Sequence, residues 1–111
     1  MIVVTKTFKI KYHLQSCIQY KLKNRAESIC WDLHNNFTFF VGGENGEISH
    51  FDMRNSEPVF SWKAHEEAIC ELSSIFGIKN CLVTCSEDNS IKAWNISQQP
   101  TNYIYKKKLK V

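Results

Sequence analysis

The sequence predicts an all-β fold made of about two four-stranded antiparallel sheets, preceded by strands of an earlier one. Three observations lead to this prediction. Short apolar segments alternate with polar residues at every second position, as in strands with one buried face. Turn-forming residues separate these segments, and no stretch has the period of a substantial helix. The chain also resembles itself at a spacing of about 40 to 43 residues, the length of one four-stranded repeat unit.

Length and composition indicate a single globular domain. The chain has 111 residues, of which 43% are hydrophobic, and its net charge is only +3. No apolar run approaches the roughly 18 residues of a membrane span, and the apolar start Met1–Val4 is too short for a signal-peptide core. We therefore expect an intracellular protein with reduced thiols and no membrane partner.

The repeat divides the chain into four predicted segments. Residues 1–22 are expected to be the end of a preceding repeat, because apolar residues alternate with polar ones in two successive strands, at 8–14 and at 18–22. Asn45–Gly46 is a strong hairpin signal, since both residues accept positive φ. The remaining segments are a first repeat at 27–63, a second repeat at 67–106 and a basic tail at 107–111.

The two repeats align at two offsets. Glu27–Cys30 matches Glu67–Cys70 at an offset of 40, whereas Phe39–Asp52 matches Leu82–Asn95 at an offset of 43. A longer loop after the first strand of the second repeat is expected to absorb the difference.

The second repeat carries the markers of a known repeat. Ala64–His65 opens it, Asp88 lies in the predicted turn between its second and third strands, and Trp94–Asn95 closes it. This order resembles the WD40 repeat family, in which Gly-His opens the unit and Trp-Asp closes it. Ala64 and Asn95 depart from that pattern. The resemblance implies a partial WD40 β-propeller, in which each repeat forms one four-stranded blade.

The same resemblance implies a buried hydrogen-bonded chain in the second repeat. Its members in this sequence are His65, Ser86, Asp88 and Trp94, with Thr84 as the second choice for the hydroxyl. A buried indole N–H needs an acceptor, a hydroxyl supplies one, and the imidazole links that hydroxyl to a carboxylate.

The first repeat lacks these polar residues. The alignment puts Arg25 at the histidine position, Gly43 at the serine position, Asn45 at the aspartate position and Phe51 at the tryptophan position. Losing every polar member together leaves no buried group unsatisfied. We therefore expect no hydrogen-bonded chain in the first repeat.

A Ser-His-Asp set also fits a hydrolase, with Ser86 as nucleophile and His65 as base. A nucleophilic serine needs an exposed position and an oxyanion hole. Ser86 is instead predicted in mid-strand near Trp94, with no glycine-rich elbow. We expect a structural role for these residues, no enzyme activity and no cofactor.

The cysteines are expected to be free thiols. Cys30 and Cys70 align in the two repeats and are predicted to pack in the core. Cys81 and Cys85 lie four residues apart on one strand, about 13 Å at ~3.3 Å per residue, which is too far for one zinc ion to bind both. We expect no metal site.

One run resembles a particular group of WD40 proteins. The matching segments are Glu57–Phe60, Lys63–Glu67, Leu72–Ser74 and Cys81–Thr84. Their order resembles the periodic tryptophan family, over roughly residues 17–97. The resemblance implies a nuclear and nucleolar scaffold linked to large ribosomal subunit assembly and ribosomal RNA production, with the cytoplasm as the alternative location.

Two functions follow from the sequence. The leading one is a non-catalytic protein-interaction scaffold whose partners are other proteins, including pre-ribosomal particles, with nucleic acid met only indirectly. The alternative is a small basic nucleic-acid-binding protein. Against it, no aromatic residues interleave with the basic residues near the C-terminus. Those residues are Lys106, Lys107, Lys108 and Lys110.

The chain is also short for a closed propeller, so we expect a partial or truncated family member. Two repeats and a remnant leave apolar surface that neighbouring blades normally cover. We therefore expect the isolated chain to self-associate or to need a partner that continues the propeller. The predicted exposed residues are Phe8, Tyr12, Phe60, Trp62, Tyr103 and Tyr105.

Overall fold

The computed structural model describes residues 7–12, 16–22, 24–35 and 37–110, which contain ten β-strands. Residues 1–6 and 13–15 of the predicted preceding repeat, and Val111 of the predicted tail, lie outside the described residues. The described part of the chain holds no helix with the length and apolarity to cross a membrane. The strands are β1 (Thr7–Tyr12), β2 (Ser16–Lys21), β3 (Ala26–Trp31), β4 (Thr38–Gly43), β5 (Glu47–Asp52), β6 (Phe60–Lys63), β7 (Ile69–Ser74), β8 (Cys81–Ser86), β9 (Ser90–Asn95) and β10 (Tyr105–Lys108).

The strands form a hairpin and two four-stranded meanders. β1 pairs with β2, the first sheet has the order β3-β4-β5-β6, and the second sheet has the order β7-β8-β9-β10. Every pairing is antiparallel. Gly46 (φ 86°) and Asn89 (φ 66°) adopt the left-handed conformation in the β4–β5 and β8–β9 turns. The prediction of an all-β chain with two four-stranded antiparallel sheets is confirmed.

The two sheets align at one offset, and the predicted offset of 40 for the first strands was wrong. The offset is 43 between β3 and β7, between β4 and β8, and between β5 and β9. The loops that follow β3 and β7 have equal length. The Glu-x-Ile-Cys segments of the two repeats are therefore similar in sequence but do not occupy equivalent positions in the two sheets, since their offset of 40 differs from the structural offset by three residues. The two repeats differ in length only between their third and fourth strands, where the loop at 53–59 corresponds to a longer loop at 96–104.

A bulge explains why Cys70 is not in the core. The register shifts between Ala26 and Ser28 in β3 and between Ile69 and Glu71 in β7. Cys70 is the extra residue of the second bulge, and its side chain is exposed. The prediction that Cys70 packs in the core was therefore wrong, whereas Cys30 is half-buried against the core between the sheets.

The first and second sheets pack against each other through one apolar cluster. Gly42 makes the close approach possible, because a Cβ atom there would lie 2.5 Å from Ile69 Cγ2. Area burial of this kind stabilises the pair at roughly 25 cal/mol per Å². The buried members of the cluster are Phe40, Ile48, Trp62, Ala64, Ile69, Leu72, Leu82, Trp94 and Ile96.

A second cluster joins the β1–β2 hairpin to the other side of the first sheet. Tyr20 of β2 is fully buried, and its ring makes edge contacts with Phe39 at 5.3 Å and Phe51 at 5.0 Å between centroids. Its hydroxyl donates to the carbonyl oxygen of Met53 at 3.2 Å. Tyr20 of the hairpin therefore covers part of the first sheet, and the first sheet covers one face of the second.

Candidate functional site

His65 is held in the loop between β6 and β7 by the turn of the preceding sheet. The backbone N–H groups of Ala64 and His65 both donate to the carbonyl oxygen of Gly46, at 3.0 and 3.1 Å. The His65 side chain is buried. Gly46 is required at this contact, because a Cβ atom there would lie 2.0 Å from the His65 carbonyl oxygen. The position of the imidazole thus depends on both sheets.

A chain of side-chain hydrogen bonds runs from Trp94 to Asp88. The Trp94 indole N–H donates to Thr84 Oγ1 at 3.0 Å, and Thr84 Oγ1 lies 2.7 Å from His65 Nε2. On the other side of the ring, His65 Nδ1 lies 3.0 Å from Asp88 Oδ2. One neutral tautomer satisfies all the bonds: Thr84 donates to Nε2, and the Nδ1–H group donates to the carboxylate.

Asp88 collects several donors in the β8–β9 turn. Its carboxylate accepts from the backbone N–H of Ser90 at 2.9 Å, from the Ser90 hydroxyl at 2.5 Å and from the backbone N–H of Glu66 at 3.2 Å. Burial raises the pKa of Asp88, but the bonds from Ser90, Glu66 and His65 outweigh burial and hold that pKa below its ordinary value. The carboxylate is therefore ionised and fully bonded.

His65 is neutral at pH 7. Burial lowers the pKa of its imidazole below 6.5, and the opposing effect of Asp88 does not compensate. Sequence reasoning missed Ser90, whose Oγ also lies 3.0 Å from His65 Nδ1. The pattern Asp-x-Ser in a predicted turn is the signal that could have found it.

The structure puts Thr84, and not Ser86, between the imidazole and the indole. Ser86 Oγ donates to the carbonyl oxygen of Glu67 at 3.0 Å and accepts from the backbone N–H of Asp88 at 3.2 Å. The first choice of hydroxyl was therefore wrong. The Ser86–His65 pair that a hydrolase would need is not formed. Thr84 Oγ1, which does meet the histidine, is fully buried and bonded to an indole.

The first sheet fills the corresponding space with apolar side chains. At the offset of 43, Leu22 corresponds to His65, Val41 to Thr84 and Phe51 to Trp94. Val41 and Phe51 are buried in one cluster, and Leu22 packs against it. The assignment of Arg25 to the histidine position was wrong, because of the three-residue shift.

The backbone fixes the true place of Arg25. The Arg25 carbonyl oxygen accepts from the Glu44 N–H as the Ala68 carbonyl oxygen accepts from the Glu87 N–H, at 2.9 and 3.0 Å. Asn45 lies at the aspartate position, and its Oδ1 accepts from the Glu47 N–H at 3.0 Å. Its turn therefore carries the same local bond as the Asp88 turn.

The basic residues lie on and beyond the last strand. Lys106, Lys107 and Lys108 belong to β10, which pairs with β9, and Lys110 follows it. All are exposed. The described residues contain no cluster of three or more His, Cys, Asp or Glu side chains able to hold a metal ion.

The arrangement around His65 is suited to holding structure. The His65 imidazole and the Thr84 hydroxyl are buried, and their hydrogen-bonding positions are occupied, so neither has a free position for a substrate atom. The side-chain hydrogen bonds connect the loop that precedes β7 with strands β8 and β9 and with the turn between those strands. Their physical effect is to fix the loop against the second sheet.

Comparisons with known proteins give WD-repeat relatives, although no family model matches the chain. An uncharacterized WD repeat-containing protein of Schizosaccharomyces pombe is 30% identical over 93 residues, covering 83% of this chain and 18% of the relative. ASTRA-associated protein 1 of Candida albicans is 32% identical over 82 residues, covering 71% of this chain and 21% of the relative. The periodic tryptophan protein 1 homolog of Drosophila melanogaster is 26% identical over 91 residues, covering 81% and 20%.

The chain spans about a fifth of the length of these relatives. Its two four-stranded meanders agree with two blades of a WD40 β-propeller, as the sequence predicted. The ordered positions of His65, Asp88 and Trp94 agree with the markers of that repeat. On this sequence similarity and this fold, the homologues of the chain are WD-repeat-containing proteins.

Proposed function

We propose that this chain is a non-catalytic protein-interaction scaffold and that one face of its second sheet is the binding surface. That face, called the outer face here, is the side of the second sheet turned away from the first. Leu82, Thr84 and Ser86 alternate into the buried side of β8, so Val83 and Cys85 point to the outer face. The face consists of Val83, Cys85, Ile91, Ala93 and Tyr105, with Lys107 at its rim.

The repeat itself supports this proposal. Val83 and Ile91 correspond to Phe40 and Ile48, which are fully buried in the contact between the first and second sheets. The first sheet contacts the second through Phe40 and Ile48. The equivalent positions of the second sheet, Val83 and Ile91, have no sheet of the described residues packed on them. Val83 and Ile91 are partly exposed, and Tyr105 is 59% exposed. This uncovered apolar face is the observation that carries the proposal.

The partner that fits the outer face is another four-stranded WD-repeat sheet. In the isolated chain, a second copy supplies one, so the chain self-associates. Of the residues expected to drive this association, Tyr103 and Tyr105 are exposed, whereas Phe60 is half-buried and Trp62 is buried between the sheets. The prediction that Trp62 is exposed was therefore wrong. Phe8 and Tyr12 lie outside the side chains that the structure describes.

Sedimentation velocity tests this proposal. The wild-type chain is expected to sediment as species larger than 13.0 kDa. Ile91→Lys puts a charge in the outer face and is expected to shift the distribution toward the monomer. Ile78→Lys is the matched control, because Ile78 is 55% exposed in a loop away from this face, and it is expected to change nothing. A monodisperse wild-type monomer with a cooperative melt would contradict the proposal.

We further propose that the scaffold acts in the nucleus and nucleolus, within pre-ribosomal particles. The resemblance to the periodic tryptophan family over residues 17–97 supports this, as does the 26% identity with a periodic tryptophan protein 1 homolog. Affinity purification of the tagged chain from cells, followed by detection of precursor ribosomal RNA and large-subunit proteins, tests it. Their enrichment over an Ile91→Lys variant supports the assignment. Recovery of an ASTRA-type complex without ribosomal RNA contradicts it.

A further inference from the structure

Two lysines lie over the ring of one tyrosine beside β9 and β10, and a third lysine lies nearby on β10. The register pairs Lys106 with Lys92, and Lys108 lies two residues further along β10, so all three side chains project on one side of the sheet. The Tyr103 ring centroid lies 5.3 Å from Lys92 Nζ and 5.8 Å from Lys106 Nζ. We call Lys92, Tyr103, Lys106 and Lys108 the lysine–tyrosine patch. It lies on the side of the second sheet opposite Tyr105, so it is separate from the outer face.

The protein offsets the positive charge of the patch only in part, since Lys92 Nζ donates to the Ala64 carbonyl oxygen at 2.6 Å and the carboxylates of Asp88 and Glu66 act on Lys92 at longer range. Like charges placed directly opposite on neighbouring strands repel each other, as Lys92 and Lys106 do here. Among the described residues, no ion pair joins these lysines to a carboxylate. Burial and then the charge of Lys106 lower the pKa of Lys92. Binding of an anion relieves this repulsion.

A mainly polar cleft adjoins Lys92 and Tyr103. Lys92 and Tyr103 line a cleft of about 510 Å³, together with Trp62, Trp94 and Asn102. Tyr103 is 39% exposed, and a flat ligand would reach its ring by displacing the exposed Lys106 side chain. Glu47 and Glu66 also line the cleft. Anionic groups of a ligand therefore belong at the β10 side, near Lys106 and Lys108.

We propose that the lysine–tyrosine patch binds single-stranded nucleic acid, with a base stacked on Tyr103 and backbone phosphates beside Lys92, Lys106 and Lys108. Lysines that follow the backbone and an exposed aromatic ring for a base are the two components of such sites. An acidic peptide would use the lysines but would not need the ring. The sequence had indicated no interleaved aromatic residue, but the loop at 96–104 brings the Tyr103 ring against Lys92 and Lys106. The inference goes beyond the scaffold function and is independent of it.

Fluorescence anisotropy with labelled oligouridine and oligodeoxythymidine of about 12 nucleotides tests the proposal. Binding is expected to weaken steeply between about 50 and 200 mM salt. Replacing both Lys106 and Lys108 by alanine is expected to reduce the slope of log K against log salt by about 1.4. Tyr103→Ala is expected to weaken binding by about 5- to 150-fold, as for loss of one stacked base.

Matched variants separate the site from general effects of charge or folding. Tyr103→Phe keeps the ring and its edge contact with Trp94, so it is expected to bind like the wild type. Ile104→Ala and Lys79→Ala change an exposed neighbour and a distant lysine, and they are expected to have no effect. The proposal fails if neither oligonucleotide binds, if Tyr103→Ala binds as well as Tyr103→Phe, or if a polyglutamate peptide binds as tightly and with the same dependence on Tyr103.

Discussion

The two sheets fill equivalent interior positions with different kinds of side chain, polar in the second sheet and apolar in the first. Beside the second sheet, His65 of the β6–β7 loop and Thr84 and Trp94 of the sheet fill the space next to the β8–β9 turn with a hydrogen-bonded chain. In the first sheet, the corresponding space is filled by apolar side chains. The turns around these two sets carry the same local bonds, since Asn45 and Asp88 each accept from the backbone N–H two residues later. The backbone therefore does not require the polar chain.

This difference indicates that the hydrogen-bonded chain of side chains is present or absent as a whole: the second sheet, with the loop that precedes it, has every member, and the first sheet has none of its polar groups. Val41 has nearly the shape of Thr84 without the hydroxyl, and Phe51 has no indole N–H that would need one. Leu22 likewise presents no ring nitrogen to satisfy. Retaining one polar member among apolar partners would leave a buried group unpaired, at about 1–3 kcal/mol. Each sheet is consistent within itself, and mixtures of the two sets are expected to be unstable.

The largest predicted effect concerns the point where the two regions meet. Gly46→Ala places a Cβ atom 2.0 Å from the His65 carbonyl oxygen at a φ of +86°. We expect a loss of at least about 3 kcal/mol in the free energy of unfolding, measured by urea melts at fixed protein concentration. Gly77→Ala is the control, since a Cβ there has nothing within 4 Å. Equal losses in the two variants would contradict the close contact.

The second prediction compares the two turns. Asp88→Ala removes the acceptor for His65, Ser90 and the Glu66 N–H, and we expect it to destabilise the chain by about 2–3 kcal/mol. Asn45→Ala removes only one local turn bond, and we expect about 0.5–1 kcal/mol. Urea melts of both variants, side by side, measure the ratio. Similar losses would show that the Asp88 chain contributes no more than an ordinary turn.

The third prediction exchanges the chemistry of the two sheets. Thr84→Val removes the acceptor of the Trp94 indole and the partner of His65, so we expect a loss of about 2 kcal/mol. Adding His65→Leu and Trp94→Phe transplants the apolar set of the first sheet. The triple variant is expected to lose clearly less than the sum of its three single changes.

The reverse substitution provides the control for this exchange. Val41→Thr puts a hydroxyl beside Leu22 and Phe51, where the first sheet offers no matching side chain, and we expect about 1–3 kcal/mol of destabilisation. Strict additivity in the triple variant, or a neutral Val41→Thr, would show that the two sets are not alternative units.

Much of the difference between the two sheets could be predicted from the sequence. The errors of that prediction have physical causes. Strand alternation and turn residues gave the two sheets, and Asn45 and Phe51 lie where the alignment put them. Thr84 and Ser86 are two residues apart on one strand, so both face the same side, and only the cross-strand register selects between them. The shifted Glu-x-Ile-Cys match misplaced Arg25. Tyr103 comes from an irregular loop, where no period predicts a neighbour.

The smallest predicted effect is a pH dependence from two histidines, of which His65 is buried and His50 is half-buried. His65 is fully bonded in the second sheet, whereas His50 in the first sheet stacks on Phe40 at 4.5 Å, with buried ring nitrogens that have no hydrogen-bond partner among the described residues. Burial lowers the pKa of both below 6.5, against the opposing effects of Asp88 on His65 and of Asp32 and Asp52 on His50.

Because both folded-state pKa values are lowered, the unfolded chain takes up protons first as the pH falls. The contribution of these two histidines to the free energy of unfolding is therefore expected to be fully present well above pH 6.5 and to decrease as the pH falls through and below it. The Asp88 carboxylate adds a loss only near and below pH 3.8, outside this window. Urea melts at successive pH values measure the decline. His50→Phe extends the aromatic stack and removes one titrating group, so its decline should be shallower than that of the wild type. A decline of the same slope in His50→Phe would assign the whole effect to the His65 chain.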